Sequence, residues 1–330
     1  MSTAPQSTTL AYLGPEGTFT EAATRTMPGV DHLTPVPHSS VAATLAAVRD
    51  GTARAAVVPF ENSVEGSVNA TLDDLLRGER LQIMAEVLVP VEFSLMTHGG
   101  AGLSDITRII THPVAEAQCR RWLAEHLPGV PVVMASSTAA AAAIVAGVDD
   151  GPSTVPSTAE AGSVDAAIAA PVAADHYGLP TLATSIGENV DAVTRFVLVA
   201  QPGPPAPPTG ADKTTFVTYL RADRPGALLE LLEQCATRGV NLTRIHSRPV
   251  GDVGVGVGPY CFVLDAEGHI EDARLGEALM GLHRVSAQVT YFGSYPRADG
   301  VIPPVNDGTS NDDFHEAAQW LTSLRRPPDH

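Results

Sequence analysis

The sequence predicts an α/β protein in two folded blocks, the first made of strand–turn–helix units around mainly parallel sheets and the second a compact βαββαβ unit. Three observations carry this expectation. Short apolar runs alternate with helix-period patterns through the first 200 residues. Residues 201–210, QPGPPAPPTG, are too proline-rich for either element and read as a semi-rigid extended linker. Charge divides along the same line: residues 1–200 carry 21 acids and 9 bases, residues 201–297 are nearly balanced, and the tail beyond is acidic again. The expected organisation is therefore a first domain over 1–200, a linker over 201–211, a second domain over 212–297 and a polar tail over 298–330.

The elements follow in order. Residues 10–13 (LAYL) form a strand, 14–17 a turn, and Thr18 with Glu21 three places on is a capping box that opens a helix. Residues 55–60 (AAVVPF) form a strand. Glu61, Asn62 and Ser63, then Gly66 and Ser67, turn the chain into a helix around 70–76. A strand over 106–110 passes through Thr111, His112 and Pro113 into the helix VAEAQCRRWLAEH. A strand over 131–134 passes through Ser136, Ser137 and Thr138 into an alanine-rich helix. In each unit small polar residues sit where a strand ends and a helix begins, where free N–H groups and the positive helix end attract anions. Four such sites around one cleft would suit a small multivalent anion.

In the second block the pattern predicts strands over 214–220, 242–247, 260–265 and 285–292, with helices over 225–238 and 271–282 on one face of an antiparallel sheet. Residues 251–258 (GDVGVGVG) echo dinucleotide-binding glycines, but a loop between two strands is the wrong context for that motif. Phe314, Ala317, Ala318, Leu321 and Leu324 recur at helical spacing in the tail and predict one short C-terminal helix.

Composition removes whole classes of function. The formal net charge is -17, from 37 acids and 20 bases, which argues against nucleic acid and anionic membrane as partners. Lys213 is the one lysine, so Schiff-base chemistry elsewhere and a lysine phosphate clamp are both excluded. Cys119, Cys235 and Cys261 form no CxxC pair, which leaves neither a zinc ribbon nor a disulfide framework and fits a reducing cytoplasm. The N-terminus lacks the basic-then-apolar order of a signal peptide, and no apolar run approaches a membrane span. Cytoplasmic location is the expectation. His98 and His176 have no partner at metal-ligand spacing, so no metal is expected.

Seven segments in order then make a specific pattern: GPEGTFTEAA, PFENSVEGSV, HPVAEAQC, SSTAAAA, Thr194-Arg195-Phe196 after Glu188-Asn189, PGALLELL and NLTRIHSRP. The sequence resembles the prephenate dehydratase family over about residues 10–200, and its second block resembles the ACT regulatory domain found in the same enzymes. The resemblance implies a two-lobed catalytic region like a periplasmic binding protein, with substrate between the lobes. It further implies conversion of prephenate to phenylpyruvate, carbon dioxide and water, no cofactor, feedback by phenylalanine, and a homodimer or homotetramer. No chorismate mutase segment precedes Leu10, so the monofunctional form is expected. Arogenate as substrate, or a two-lobed sensor without catalysis, are the competing readings.

Prephenate carries two carboxylates and a ring hydroxyl, and is its own electron sink, so the protein must hold two carboxylates and assist the departing hydroxyl. The resemblance marks Thr194 as essential, and a hydrogen bond from its hydroxyl to the leaving oxygen is the expected role. Glu61 is the candidate proton relay, with a simple turn carboxylate as the alternative. Arg195 is the candidate carboxylate clamp, although strand alternation forbids Thr194 and Arg195 from both entering the cleft of a regular strand. Thr18, Asn62, Ser63, Ser137 and Thr138 are expected to donate to the carboxylates, with His112, Gln118 and Phe196 lining the cleft. Cys119 reads as packing rather than a nucleophile. The family commonly has asparagine two places before the threonine; here that place is Ala192, and Asn189 or Asp191 is expected to supply the polar group. For the effector, the resemblance points to Gly226, Ala227, Leu228 and Leu229, completed by Asn241, Leu242, Ser247 and Arg248 at a subunit interface. His246 stands where the ACT motif usually has glutamate.

Overall fold

The computed structural model describes residues 7–64, 66–148, 165–249 and 260–325; the glycine-rich segment 251–258 lies outside them. The chain divides into two compact units, Met1–Glu79 with Val87–Val199, and Arg80–Glu86 with Ala200–His330.

The first unit begins with β1 (Thr9–Leu13), α1 (Phe19–Thr26), β2 (Thr34–His38), α2 (Val41–Arg49), β3 (Ala55–Asn62), β4 (Gly66–Ser67) and α3 (Asn69–Arg77). β5 (Gln82–Pro90) starts in the second unit and ends in the first. There follow β6 (Ser94–Thr97), β7 (Ile109–Thr111), α4 (Pro113–His126), β8 (Val132–Met134), α5 (Thr138–Ala146), β9 (Ala166–Ala169), α6 (Pro171–Tyr177), β10 (Thr181–Ala183) and β11 (Val193–Ala200). Two sheets result, ordered β2-β1-β3-β11-β5, with β4 beside β3, and β10-β6-β9-β7-β8.

The helix starts are where small polar residues predict them. Thr18 accepts the N–H of Glu21, while the Glu21 carboxylate accepts the N–H of Gly17 at 2.5 Å. Ser137 caps α5 through the N–H of Ala140, and His112 caps α4 through the N–H of Val114, with Pro113 at the first helical position. β9 shows why both faces of the second sheet are apolar. Ala166 and Ile168 pack on the α4 side, Ala167 and Ala169 on the side of the alanine-rich α5, so period two serves two cores.

Parallel pairing holds for β1 with β2 and β3, and for β7 with β8 and β9. It fails for β6, which is antiparallel to β9 and β10. β6 enters its sheet directly from the crossing segment 91–93 rather than through a strand–helix unit, so nothing obliges it to run parallel. The strand expected over 106–110 starts only at Ile109, because the Asp165 carboxylate takes the N–H groups of Thr107 and Arg108 at 2.6 and 3.0 Å and keeps them out of the ladder.

The second unit holds β12 (Asp212–Tyr219), α7 (Ala227–Ala236), β13 (Leu242–Pro249), β14 (Tyr260–Glu267), α8 (Ala273–Val285), β15 (Gln288–Pro296) and α9 (Asn311–Arg325). Its four strands run antiparallel in the order β13-β14-β12-β15. Phe216 and Leu264 on the sheet pack against Leu231 and Cys235 of α7 and against Leu275, Ala278 and Leu282 of α8. Val285 continues that last stripe, so α8 runs through it and β15 starts three residues later than the apolar pattern suggests. The fold is thus α/β with two lobes in the first unit and a βαββαβ arrangement in the second. The chain's one lysine, Lys213, holds the buried Glu86 with Nζ at 3.0 and 3.1 Å from the two carboxylate oxygens. Gly293, at φ +143, lies so close to the backbone of Ile83 that no side chain fits there.

Arg297 grips Asp299 through two nitrogens, at 2.9 and 2.7 Å, and reaches Glu267 with a third at 2.6 Å. The guanidinium holds the Asp299 carboxyl down at about 2, below the ordinary aspartate value of about 3.9. A depressed carboxyl stabilises the fold above the ordinary range and loses that contribution as pH falls toward the folded value. Chemical unfolding of the parent and Asp299→Asn proteins should therefore differ at about pH 5 and converge as pH approaches about 2.

Candidate active site

A cavity of about 290 Å³ opens in the first unit, lined by Phe19, Asn62, Val91, Phe93, His112, Val114, Ala115, Gln118, Ser136, Ser137, Thr138 and Thr194. Three helices point their N-termini at it. Phe19 opens α1, His112 caps α4, and Ser137 caps α5, with Thr138 its first residue. The fourth expected helix end is absent from the lining. β3 extends to Asn62 and pairs back on β4 before α3 begins at Asn69, so Asn62 arrives from a hairpin rather than a helix turn.

Asn62 and Thr194 meet across this cavity, with Asn62 Nδ2 donating to Thr194 Oγ1 at 2.8 Å. Asn62 Oδ1 meanwhile accepts the N–H of Val64 at 2.8 Å, which fixes which way round the amide lies. Ser63 secures the neighbouring backbone: its hydroxyl accepts the N–H of Val193 at 3.0 Å and its own N–H donates to the Val193 carbonyl at 2.9 Å. It does not line the cavity. Neither does Thr18, whose hydroxyl donates to the Pro15 carbonyl at 3.0 Å and accepts within the cap; the next residue, Phe19, lines it instead.

Arg195 is not a cavity residue. β11 is regular through this point, so Thr194 and Arg195 face opposite sides of the sheet. The guanidinium lies 4.9 Å from the ring centre of Phe60 and 3.5 Å from Glu61 Oε2. Glu61, in contact with Arg195, is also outside the lining, whereas Asn62 lines the cavity. Phe196 shares the face of Thr194 but is a fully buried core residue. Ala192 is buried, and the exposed Asn189 and Asp191 do not reach the cavity; the polar neighbour of Thr194 is Asn62.

Local pattern does not identify Phe19, Val91, Phe93, Val114, Ala115 or Ser136. Phe19, Val114, Ala115 and Ser136 lie beside predicted residues within the same turns. Val91 and Phe93 belong to the crossing between the two sheets, where Val91 donates to the Ala192 carbonyl at 2.7 Å and Ile186 to that of Phe93 at 3.0 Å. Phe19 and Phe93 pack edge to face, 5.7 Å between ring centres.

Electrically the lining is nearly neutral. It contains no lysine, arginine, aspartate or glutamate, and His112 is its one titratable side chain among the described residues. The cavity offers hydroxyls, amides and the N–H groups of three helix ends. No group of three or more potential metal-ligating side chains occurs among the described residues. His176 lies 3.3 Å from Glu16, and His98 is exposed.

Within one chain the residues expected to bind an effector fall into two groups rather than one pocket. Gly226, in the left-handed region at φ +83, precedes α7 at the end of the sheet where β12 finishes. Arg248 pairs with Cys261, which pairs with Tyr219, so it lies at that same end. Leu242 pairs with Ala266 at the opposite end, about 20 Å along the strand. Ala227 is buried, whereas Leu229 and Asn241 are exposed.

Residues 10–204 match the family described as prephenate dehydratase. The chain belongs to the prephenate dehydratase family. The prephenate dehydratase of Mycolicibacterium vanbaalenii is 45% identical over 331 residues, spanning 96% of this chain and 98% of its own length. The crystal structure of prephenate dehydratase from Arthrobacter aurescens in complex with L-Phe superposes with a TM-score of 0.85 at 48% identity, over 96% of this chain and 99% of that one. A structure described as GqqA, a novel type of quorum quenching acylase, matches with a TM-score of 0.72 and 32% identity, over 87% and 97% of the two chains. Membership sets the enzyme class: a carbon–oxygen lyase with prephenate dehydratase activity. No helix among the described residues is long and apolar enough to cross a membrane.

Cys119 is fully buried in the core cluster that also holds the cavity residues Val91, Phe93 and Ala115. Burial pushes its thiol up to about 12, so it is not a thiolate near neutral pH. Cys119→Ala should retain the dehydratase turnover number while lowering the unfolding midpoint, and the native thiol should resist alkylation until the protein unfolds.

Proposed function

We infer that the cavity holds prephenate with Thr194 at its departing hydroxyl, and that the second unit senses phenylalanine. The observation that carries the first part is the Asn62–Thr194 hydrogen bond amid three helix N-termini. Because Asn62 donates to the threonine oxygen, the threonine proton is released from that contact and is available to the substrate.

The reaction needs little else. The carboxylate on the ring leaves as carbon dioxide, its bonding electrons move through the ring diene, and the hydroxyl across the ring departs with them. One proton joins that hydroxide to form water, and phenylpyruvate remains. Thr194 donates a hydrogen bond to the oxygen as charge develops there; the proton itself comes from solvent. Ser136, Ser137 and Thr138, the start of α4 and Gln118 can meet the carboxylates, while Phe19, Val91 and Phe93 present an apolar wall to the ring. A lining without aspartate or glutamate favours prephenate over arogenate, whose ammonium group would be buried without a carboxylate partner.

Loss of one such donor costs about 100- to 1,000-fold in turnover in comparable sites. Thr194→Val should show that loss with KM and unfolding midpoint little changed, Thr194→Ser should recover most of it, and Asn62→Ala should cost about tenfold. Purified enzyme should turn over prephenate in strong preference to arogenate. No prephenate turnover, or a fully active Thr194→Val, overturns this reading.

For the effector, the support is the L-Phe complex of the Arthrobacter aurescens relative together with Gly226 at a helix start. β13 is an edge strand. Pairing two copies antiparallel along it would bring Leu242 of one beside Arg248 of the other, which would complete the pocket in a dimer and rejoin the two groups that one chain separates. Calorimetry should record phenylalanine binding to the parent protein and at least tenfold weaker binding to Arg248→Ala. Absence of heat with every aromatic amino acid would remove regulation from the proposal.

A further inference from the structure

α9 is an amphipathic helix whose apolar face touches almost nothing. Phe314, Ala317, Trp320, Leu321 and Leu324 fall within one side of it, yet no residue of α9 is buried, and Trp320 and Leu324 are 63% and 60% exposed. Its start is pinned: Asn311 Nδ2 donates to Asp272 Oδ1 at 2.9 Å, and Asn311 Oδ1 accepts the N–H of Arg274 at 3.3 Å. From this anchor beside the N-terminus of α8 the helix extends about 22 Å without burying its stripe.

The same unit carries a bare groove of about 480 Å³, lined by Leu279, Met280, His283, Arg284, Val289 and Tyr291, at the opposite end of α8 and along β15. Met280 is 53% exposed. The rim is net cationic: Arg284 lines it and Arg80 lies 5.9 Å from the Tyr291 ring centre, against one acid, Glu271, that acts on the same tyrosine. Such a rim is unusual on a chain of net charge -17. α9 is its complement, with Asp312, Asp313 and Glu316 in its first half beside the apolar stripe.

We propose that α9 is an exchange arm that docks in the α8–β15 groove of a second copy of this chain. Apolar surface is exposed on both the helix and the groove, and a two-fold pair in which each copy lends its helix to the other covers all four surfaces at once. The acids of the arm then meet the cationic rim.

The chain contains two tryptophans, Trp122 and Trp320, so Trp122→Phe makes Trp320 the sole emitter. In that full-length protein Trp320 should emit at shorter wavelength than a free indole and resist acrylamide quenching several-fold better than in a further variant carrying Met280→Glu. The deciding measurement uses two chains produced together: one with Trp122→Phe and Met280→Glu, whose own groove is spoiled, and one with Trp122→Phe and Trp320→Phe, whose groove is intact but which has no tryptophan. Exchange predicts that the mixture restores the blue-shifted, protected emission. If Trp320 is protected in the first protein yet stays exposed in the mixture, the helix docks on its own chain and the proposal is wrong. If Trp320 is exposed in every sample, at all concentrations, nothing covers the arm and the proposal is equally wrong. Prephenate turnover, expected to be unchanged in each variant, certifies that the chains are folded.

Discussion

The hydrogen bond from Asn62 to Thr194 organises the cavity, and much of the surrounding structure serves to hold it. The Val64 N–H fixes the orientation of the Asn62 amide, and Ser63 ties the start of β11 by two bonds to Val193. Arg195, which is outside the cavity lining, lies over Phe60 beside Glu61, contacts that a one-residue slip of β11 would break. A slip of that kind would exchange Thr194 for Arg195 at the cavity. The motif around Thr194 therefore divides its labour: Thr194 faces the cavity, while the buried Arg195 and Phe196 hold the strand that presents it.

The electrostatics follow from the same economy. A dianion in a protein of net charge -17 would ordinarily be met with arginine, yet the cavity lining has none. Helix N-termini supply partial positive charge fixed in direction, at no cost in side-chain ordering. They also do not need to be desolvated as full ions when the cavity fills. On the proposed binding of prephenate here, a substrate that accepts its own electrons as the ring becomes aromatic needs no more than a neutral, partly apolar site with oriented donors. A 32% identical structure named as an acylase shares the scaffold, so the fold alone does not set the chemistry.

What is legible in the sequence is what is decided locally. Thr18, His112 and Ser137 are caps because their neighbours make them so, and each helix start is where its cap predicts. Residue roles that depend on strand direction are not legible. Arg195 and Glu61 are one residue away from Thr194 and Asn62 along their strands, and that single step takes them out of the cavity lining. Val91 and Phe93 carry no local signal, since a chain crossing between two sheets looks in sequence like any short apolar run. The separation of Leu242 from Arg248 likewise depends on the register of β13 against β14, which no pattern within β13 specifies.

The single lysine anchors the middle of β5. Lys213 and the N–H of Ala298 both bind the buried Glu86, and a buried carboxylate with its partner removed is far more costly than the intact pair is stabilising. The position of Glu86 is thus strongly determined within the second unit. From there β5 runs without interruption to Pro90, and the chain goes straight on to Val91 and Phe93 in the cavity wall. β11 makes the complementary passage, from Thr194 at its start to Ala200, where the second unit resumes. Both chain segments that join the units carry cavity residues at one end, so each passage of the chain between them begins or ends in the cavity wall.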